Sequence, residues 1–177
     1  MQAGRKQGEV VTRGRATLIG FSAILMWSFL ALLTIGSAPV PPLLLNAICF
    51  GVGGMIGLIW TARSGFGVLR GVGWRVYAFG TLGLFGYHFL YFTAFRMGPN
   101  ASTGLIAYLW PLFVVLFSGL LPGERLRWPH VLGALIALCG AAGFVLTSRT
   151  GRGGVSLPAL LLAFFCALTW AGYSVLS

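Results

Sequence analysis

Ala107-Tyr108-Leu109-Trp110-Pro111-Leu112-Phe113-Val114-Val115-Leu116-Phe117 is an unbroken apolar run with a proline at its centre and two polar-tipped aromatics ahead of it. Pro111 has no N–H, so the carbonyl of Ala107, four residues back, loses its helical partner. In water such a proline ends a helix. In a bilayer a neighbouring side chain or an ordered water satisfies the freed carbonyl, and the helix continues with a kink. Tyr108 and Trp110 bring a hydroxyl and an indole N–H to that opening. The stretch therefore reads as a kinked membrane-spanning helix that borders a small-molecule cavity near the bilayer midplane.

The composition agrees with a lipid solvent. Of 177 residues, 58% are hydrophobic and 8% charged, too few charges to clothe a soluble domain of this size. The net charge of +10 is not the footprint of a nucleic-acid binder, because the basic residues fall in the gaps between apolar runs. Cys49, Cys139 and Cys166 all lie inside apolar runs and read as packing residues, with neither disulfide nor metal implied. No cofactor motif is present. The first apolar run is too long for a signal-peptide core and reads as a retained span.

Outward from the proline, the chain divides into six apolar spans. A basic tail (1–15) carries Arg5, Lys6, Arg13 and Arg15. Spans follow at about 16–36, 43–62, 76–95, 101–122, 131–147 and 159–176, each near the ~20 residues that cross a ~30 Å hydrocarbon core. Asn100 is placed to cap the fourth. Gly53 and Gly57 in the second span, and Gly133, Ala137 and Ala141 in the fifth, are spaced for close helix approach. With the N-terminus inside, cytoplasmic segments hold nine Lys and Arg and external segments three, which orients the tail to the cytoplasm.

Trp27 aligned on Trp170 lays residues 18–27 over 161–170, with Phe21 on Phe164 and Leu25 on Leu168. The sixth span thereby restarts the pattern of the first, and five spans separate the two starts. A second copy would enter the membrane from the opposite face, the inverted repeat of many secondary transporters. Only one helix of that copy is present, so the expectation is the N-terminal part of a ten-helix protein: a first repeat at 16–147, a loop at 148–158 and the first helix of the second repeat at 159–177.

Arg-Ala-Thr-Leu-Ile-Gly-Phe-Ser-Ala-Ile-Leu-Met-Trp-Ser (15–28), Tyr-Leu-Trp-Pro-Leu-Phe (108–113), Gly-Glu-Arg-Leu (123–126) and Trp-Ala-Gly-Tyr (170–173) resemble the drug/metabolite transporter superfamily of EamA type, and within it the aromatic amino-acid exporter branch. The resemblance implies an all-α integral membrane protein of the bacterial inner membrane, two inverted five-helix repeats, and a cavity lined by aromatics. Its partners would be an amino-acid substrate, membrane lipid and the remaining C-terminal helices of the same protein.

The candidate substrate-binding residues are Tyr87, His88, Tyr91, Tyr108, Trp110, Trp27 and Trp170, with Pro111 as the kink or gate. Tyr87 and Tyr91, four apart, share a helix face, and their hydroxyls should avoid lipid. His88, an ionisable group inside a span, is a functional candidate by its position. Against this stands packing: the tyrosines as interhelical hydrogen bonders or an aromatic belt, the tryptophans as ordinary filler. Tyr108 and Trp110 lie roughly 200° apart on a straight helix and share one cavity only if the kink turns them together. No Asp, Glu, Lys or Arg falls inside a span, so neither an intramembrane enzyme nor a carboxylate-coupled pump finds its groups here. The sequence leads to gradient-driven export of aromatic or bulky neutral amino acids by alternating access. The alternatives are export of drugs or other metabolites, or a non-transporting membrane subunit whose aromatics only pack.

Overall fold

A computed structural model describes residues 13–69, 71–124, 126–149 and 156–177. Most of the basic tail, Arg125 and much of the loop at 148–158 lie outside the described residues. The described chain is helical throughout, in two units: residues up to Gly36 and residues from Ser37 onward.

The first unit holds α1 (Arg13–Ser28) and α2 (Leu30–Gly36). They form one apolar rod interrupted at Phe29, where the amide N–H of Phe29 turns back to Met26 O (3.2 Å) and Leu33 N–H resumes the ladder on Phe29 O (2.9 Å). Ser28 Oγ donates to Ile24 O at 3.0 Å, a side-chain bond that competes with the backbone and bends helices.

The second unit holds α3 (Pro42–Ser64), a short 3-10 turn (Phe66–Leu69), α4 (Trp74–Met97), α5 (Asn100–Ala107), α6 (Trp110–Ser118), α7 (Trp128–Arg149) and α8 (Leu157–Leu176). Five stretches are long and apolar enough to cross a membrane: 14–36, 42–64, 100–118, 128–147 and 157–176. The chain is therefore a multi-pass membrane protein. The rod not counted among them is α4. At 24 residues it is long enough to span, but its tyrosines, glycines and histidine make it less apolar than its neighbours.

That helix packs most closely, and its partner is α8. The two run antiparallel. Gly98 near the end of α4 lies against Ala159 at the start of α8, and Gly83 lies against the Tyr173 ring near the far end. The close approach is built from small residues. Ala159, Ala163, Ala167 and Ala171, at four-residue spacing, are all fully buried, with Cys166 beside them. Four-residue spacing puts them on one helix face, and a face without bulk lets backbones approach. α8 also packs on α5 and α6, so it is the hub of the second unit.

Two small-residue faces read from the sequence differ in the structure. In α7 the buried positions are Ala134 and Ala141, while Gly133 and Ala137 face outward. The rotation is small: α7 packs on α5 and α6, and Ala134 and Ala141, seven apart, present a narrower stripe than the predicted three residues. Around Gly53 and Gly57 of α3 the space is open. Asn100 is the first residue of α5 instead of its cap, and the helix opens on Pro99, whose carbonyl accepts from Thr103 N–H at 3.0 Å.

The glycines of α4 separate packing from mere helix composition. A methyl group at Gly83 would collide with the Tyr173 ring, whereas at Gly80 it would meet open space. Gly83→Ala should therefore destabilise the protein by about 1–3 kcal/mol through overpacking. Gly80→Ala should be neutral or stabilising by up to about 1 kcal/mol, as alanine is the better helix former. Thermal unfolding of the two variants in one detergent checks the contrast.

Candidate substrate site

The fourth span is broken, not merely kinked. α5 ends at Ala107, Tyr108 and Leu109 form a turn, and α6 begins at Trp110 with Pro111 in its first turn. Leu109 N–H closes onto Ile106 O at 3.1 Å in 3-10 fashion, and Phe113 N–H resumes on Leu109 O at 3.2 Å. The break precedes the proline because Pro111 is well placed at the start of a helix, where its missing N–H costs nothing, and poorly placed within one. The carbonyl of Ala107, at a residue that is itself buried, faces a position that has no N–H to give.

The break solves the angular problem of Tyr108 and Trp110. With Tyr108 in the turn and Trp110 on the new helix, Tyr108 comes near the tyrosines of α4 and Trp110 meets a ring of α8. Trp110 meets Trp170 edge-to-face, with centroids 6.3 Å apart and planes at 81°. Trp170 in turn lies 4.7 Å from the Tyr87 ring, and Tyr87 lies 5.8 Å from Tyr91. Tyr108 is within electrostatic reach of both Tyr87 and Tyr91. Five of the seven residues singled out in the sequence thus form one cluster on three helices and a turn.

Within the cluster exposure is uneven. Tyr91 is enclosed at 1% exposure and Tyr87 at 8%, whereas Tyr108 is 48% exposed. Trp110 and Trp170 are half-buried. Among the described residues, the Tyr108 phenol is the polar group that the enclosed Tyr91 hydroxyl faces, and Thr103 Oγ1 finds no hydrogen-bond partner. An unsatisfied buried hydroxyl is costly, so Tyr91, with the Tyr108 phenol as a polar neighbour, marks the polar side of the cluster. The backbone carbonyl of Tyr87 accepts a long 3.6 Å bond from Cys166 Sγ, which ties the α4 strip of rings to the small-residue face of α8.

His88 stands one step round, toward α3. Its Nδ1 donates to Leu84 O at 2.8 Å, leaving Nε2 as the remaining polar atom of the ring. It touches Tyr87 (4.9 Å) and the Phe50 ring of α3 (5.4 Å), both edge-on. It therefore bridges the α3 side of α4 to the ring cluster. Trp27 belongs to the first unit, where its side chain is 53% exposed. Among the described residues no group of three His, Cys, Asp or Glu comes together as a metal site.

Sequence reasoning missed two features. Arg96, counted only as a topology charge, donates from Nε to Val40 O at 3.1 Å and from Nη2 to Ser37 Oγ at 2.8 Å. It ties the turn ahead of α3 to the end of α4, fixing the helix that carries three of the candidate residues. The second is a cavity of about 340 Å³ at the opposite end of α4, lined by Arg75, Val76, Phe79, Gly80, Tyr173, Leu176 and Ser177. Its signal in the sequence was a lone arginine one turn ahead of an aromatic and a glycine.

Comparison with known proteins bears on what such a cluster serves. The EamA-like transporter family matches residues 14–146. A protein of Ancylobacter novellus described as the aromatic amino acid exporter YddG is 49% identical over 177 residues, covering 94% of this chain and 59% of that protein. Proteins with the same description from Salmonella typhimurium and Escherichia coli are each 32% identical, over 92% of this chain and 59% of theirs. A protein of known crystal structure, 49% identical, superposes with a TM-score of 0.64 over 92% of this chain and 57% of its own. The chain thus spans about three-fifths of the length of the curated relatives it matches.

The Arg96 tie is open to direct test. Arg96→Gln removes the paired contact to Ser37 and Val40 and should cost about 1.5–3 kcal/mol, the range for hydrogen bonds to a charged group. A cysteine placed at Ser37 should react faster with a membrane-impermeant maleimide in that variant than in the otherwise native protein.

Proposed function

This chain belongs to the EamA-like transporter family, and from that premise we propose that it forms the N-terminal part of an inner-membrane exporter of aromatic and other bulky neutral amino acids. The observation that carries the reading is the contact of Trp110, Trp170 and Tyr87 beside the helix break at Tyr108 and Leu109. Rings stack on an aromatic side chain. Indole and phenol tips, with the carbonyls freed at the break, are suited to an ammonium group and a carboxylate. Polar atoms in a bilayer are tolerated where they line a cavity. Identity of 49% to a protein described as an aromatic amino acid exporter supports the same substrate class.

The proposal includes the architecture. Residues 16–147 form one five-helix repeat, and 159–177 open a second, inverted copy that supplies the other wall of the site. The N-terminus is cytoplasmic, and α8 enters from the external face. The antiparallel pairing of α4 and α8 is the arrangement this topology requires. Alternating access follows from one repeat rocking against the other. With no acidic residue inside a described helix, flow down the substrate gradient is the simplest coupling. Tyr87, Tyr108, Trp110 and Trp170 receive the substrate, and the enclosed Tyr91 backs them. His88 orients Tyr87 and offers Nε2, Trp27 takes the position in the first copy that Trp170 holds in the second, and Pro111 sets the break.

The full-length protein in liposomes should release labelled phenylalanine or tryptophan down its gradient, with unlabelled aromatic amino acids competing. Carriage of a lipophilic cation with no competition by amino acids would replace this reading with drug export. Replacing His88, Tyr108 and Trp110 together should lower the transport rate by at least about tenfold, the scale of losing one or two substrate contacts. Transport unchanged by the three substitutions would make the aromatics packing residues only.

A further inference from the structure

The imidazole of His88 is held from several sides by contacts that lie wholly within α3 and α4. Its Nδ1 stands 2.8 Å from Leu84 O, one turn back on α4. The Phe50 ring of α3 meets it edge-to-face, with centroids 5.4 Å apart and planes at 87°. Tyr87 and Phe92 meet it at 4.9 Å and 5.8 Å, also edge-on. Phe50 is backed in turn by the Phe85 ring, 6.2 Å away.

The bond to Leu84 decides which nitrogen carries the proton. A carbonyl oxygen only accepts, so the neutral ring keeps its hydrogen on Nδ1 and a bare lone pair on Nε2. In that tautomer Nε2 accepts and cannot donate. The other side chains of the candidate site behave differently. The indole N–H groups of Trp110 and Trp170 only donate, and the phenols of Tyr87 and Tyr108 do either. A substrate carboxylate needs donors, whereas a substrate ammonium has only donors to offer. Among these residues Nε2 is therefore the side-chain nitrogen matched to an ammonium.

We propose that His88 recognises the protonated amino group of the substrate through Nε2, and that Phe50 is a positioning residue that keeps the ring turned for it. The assignment rests on the exporter reading and deepens it: a primary ammonium, and not the carboxylate, is the group read on the α3 side of the cluster. Phe50 acts through His88 by blocking rotation of the imidazole off Leu84 O. A lone pair aimed in advance meets a cation without the cost of ordering the ring at the moment of binding.

The test uses the full-length protein and two readouts. In liposomes, 3-phenylpropionate, which lacks the amine, should compete with labelled phenylalanine at least about tenfold less well than unlabelled phenylalanine, the scale of one charge-assisted hydrogen bond. His88→Leu should raise the KM for phenylalanine by a similar factor and erase that discrimination. His88→Gln, whose amide oxygen accepts, should restore part of it. Phe50→Ala should weaken the discrimination by about two- to tenfold, the scale of one aromatic pair, with no further effect beside His88→Leu. Phe50→Tyr, which keeps the ring, should behave as the native protein. In detergent, 15N NMR of the histidine side chains should place the His88 proton on Nδ1, the signal being assigned by its loss in His88→Leu, and Phe50→Ala should bring in the Nε2–H form. The inference is overturned by a proton on Nε2 in the native protein, by 3-phenylpropionate competing as well as phenylalanine, or by a Phe50→Ala effect of the same size with and without His88. Phenylalanine carried without preference for the amine sinks this inference and keeps the exporter reading. Phenethylamine carried in a His88-dependent way by a protein that moves no amino acid does the reverse, so the two fail separately.

Discussion

Close contact between α4 and α8 is the constraint on which the second unit depends. Lipid tails give two apolar helices no reason to prefer each other, so association in a bilayer rests on backbones coming near enough for dense packing. Here the nearness comes from Ala159, Ala163, Ala167 and Ala171 on one side, and from Gly83 and Gly98 on the other. The small faces bring the two backbones together, and the rings of α4 and α8 gather along the seam, with Tyr173 seated over Gly83 and Tyr87, Trp170 and Phe79 continuing the strip. The small residues thus determine where the large ones gather.

The second element of the design is the interruption at Tyr108 and Leu109. A continuous helix from Asn100 to Ser118 would have turned Tyr108 and Trp110 to different sides. The turn gives Tyr108 to the open side of the cluster and Trp110 to Trp170. It also leaves the Ala107 carbonyl opposite a proline that has no N–H to give it. An intramembrane site for a zwitterion needs both a surface for its hydrophobic portion and partners for its charges. Aromatic residues beside a broken helix supply both without the burial of a charged side chain.

Much of this was legible in the sequence, for physical reasons. Span lengths follow from bilayer thickness, and five of the six are apolar enough to be recognised by composition alone. The third span is legible by its length and by the absence of charge between Arg75 and Arg96, although its tyrosines and glycines lower its hydrophobicity. Pro111 announced a disturbance, but its position did not say that the helix would stop three residues earlier. The small-residue faces singled out in the sequence lie in α3 and α7, where Gly53, Gly57, Gly133 and Ala137 remain open or face outward, while the stripe that is buried is the alanine face of α8. Spacing marks a face that permits contact; the partner decides which face is used. Arg96 was read as a charge count, and its tie to Ser37 and Val40 depends on a turn that local sequence does not specify.

The central claim is that the rings around Trp170 face a substrate and do not merely fill space. The most direct measurement is the anomalous signal of iodine in crystals of the full-length protein soaked with 4-iodophenylalanine. The account predicts an iodine peak within about 4.5–7 Å of the Trp110 and Trp170 ring centres, the spacing of aromatic contacts. A single peak on a lipid-facing surface, with the space beside Trp170 closed by protein side chains, would contradict it.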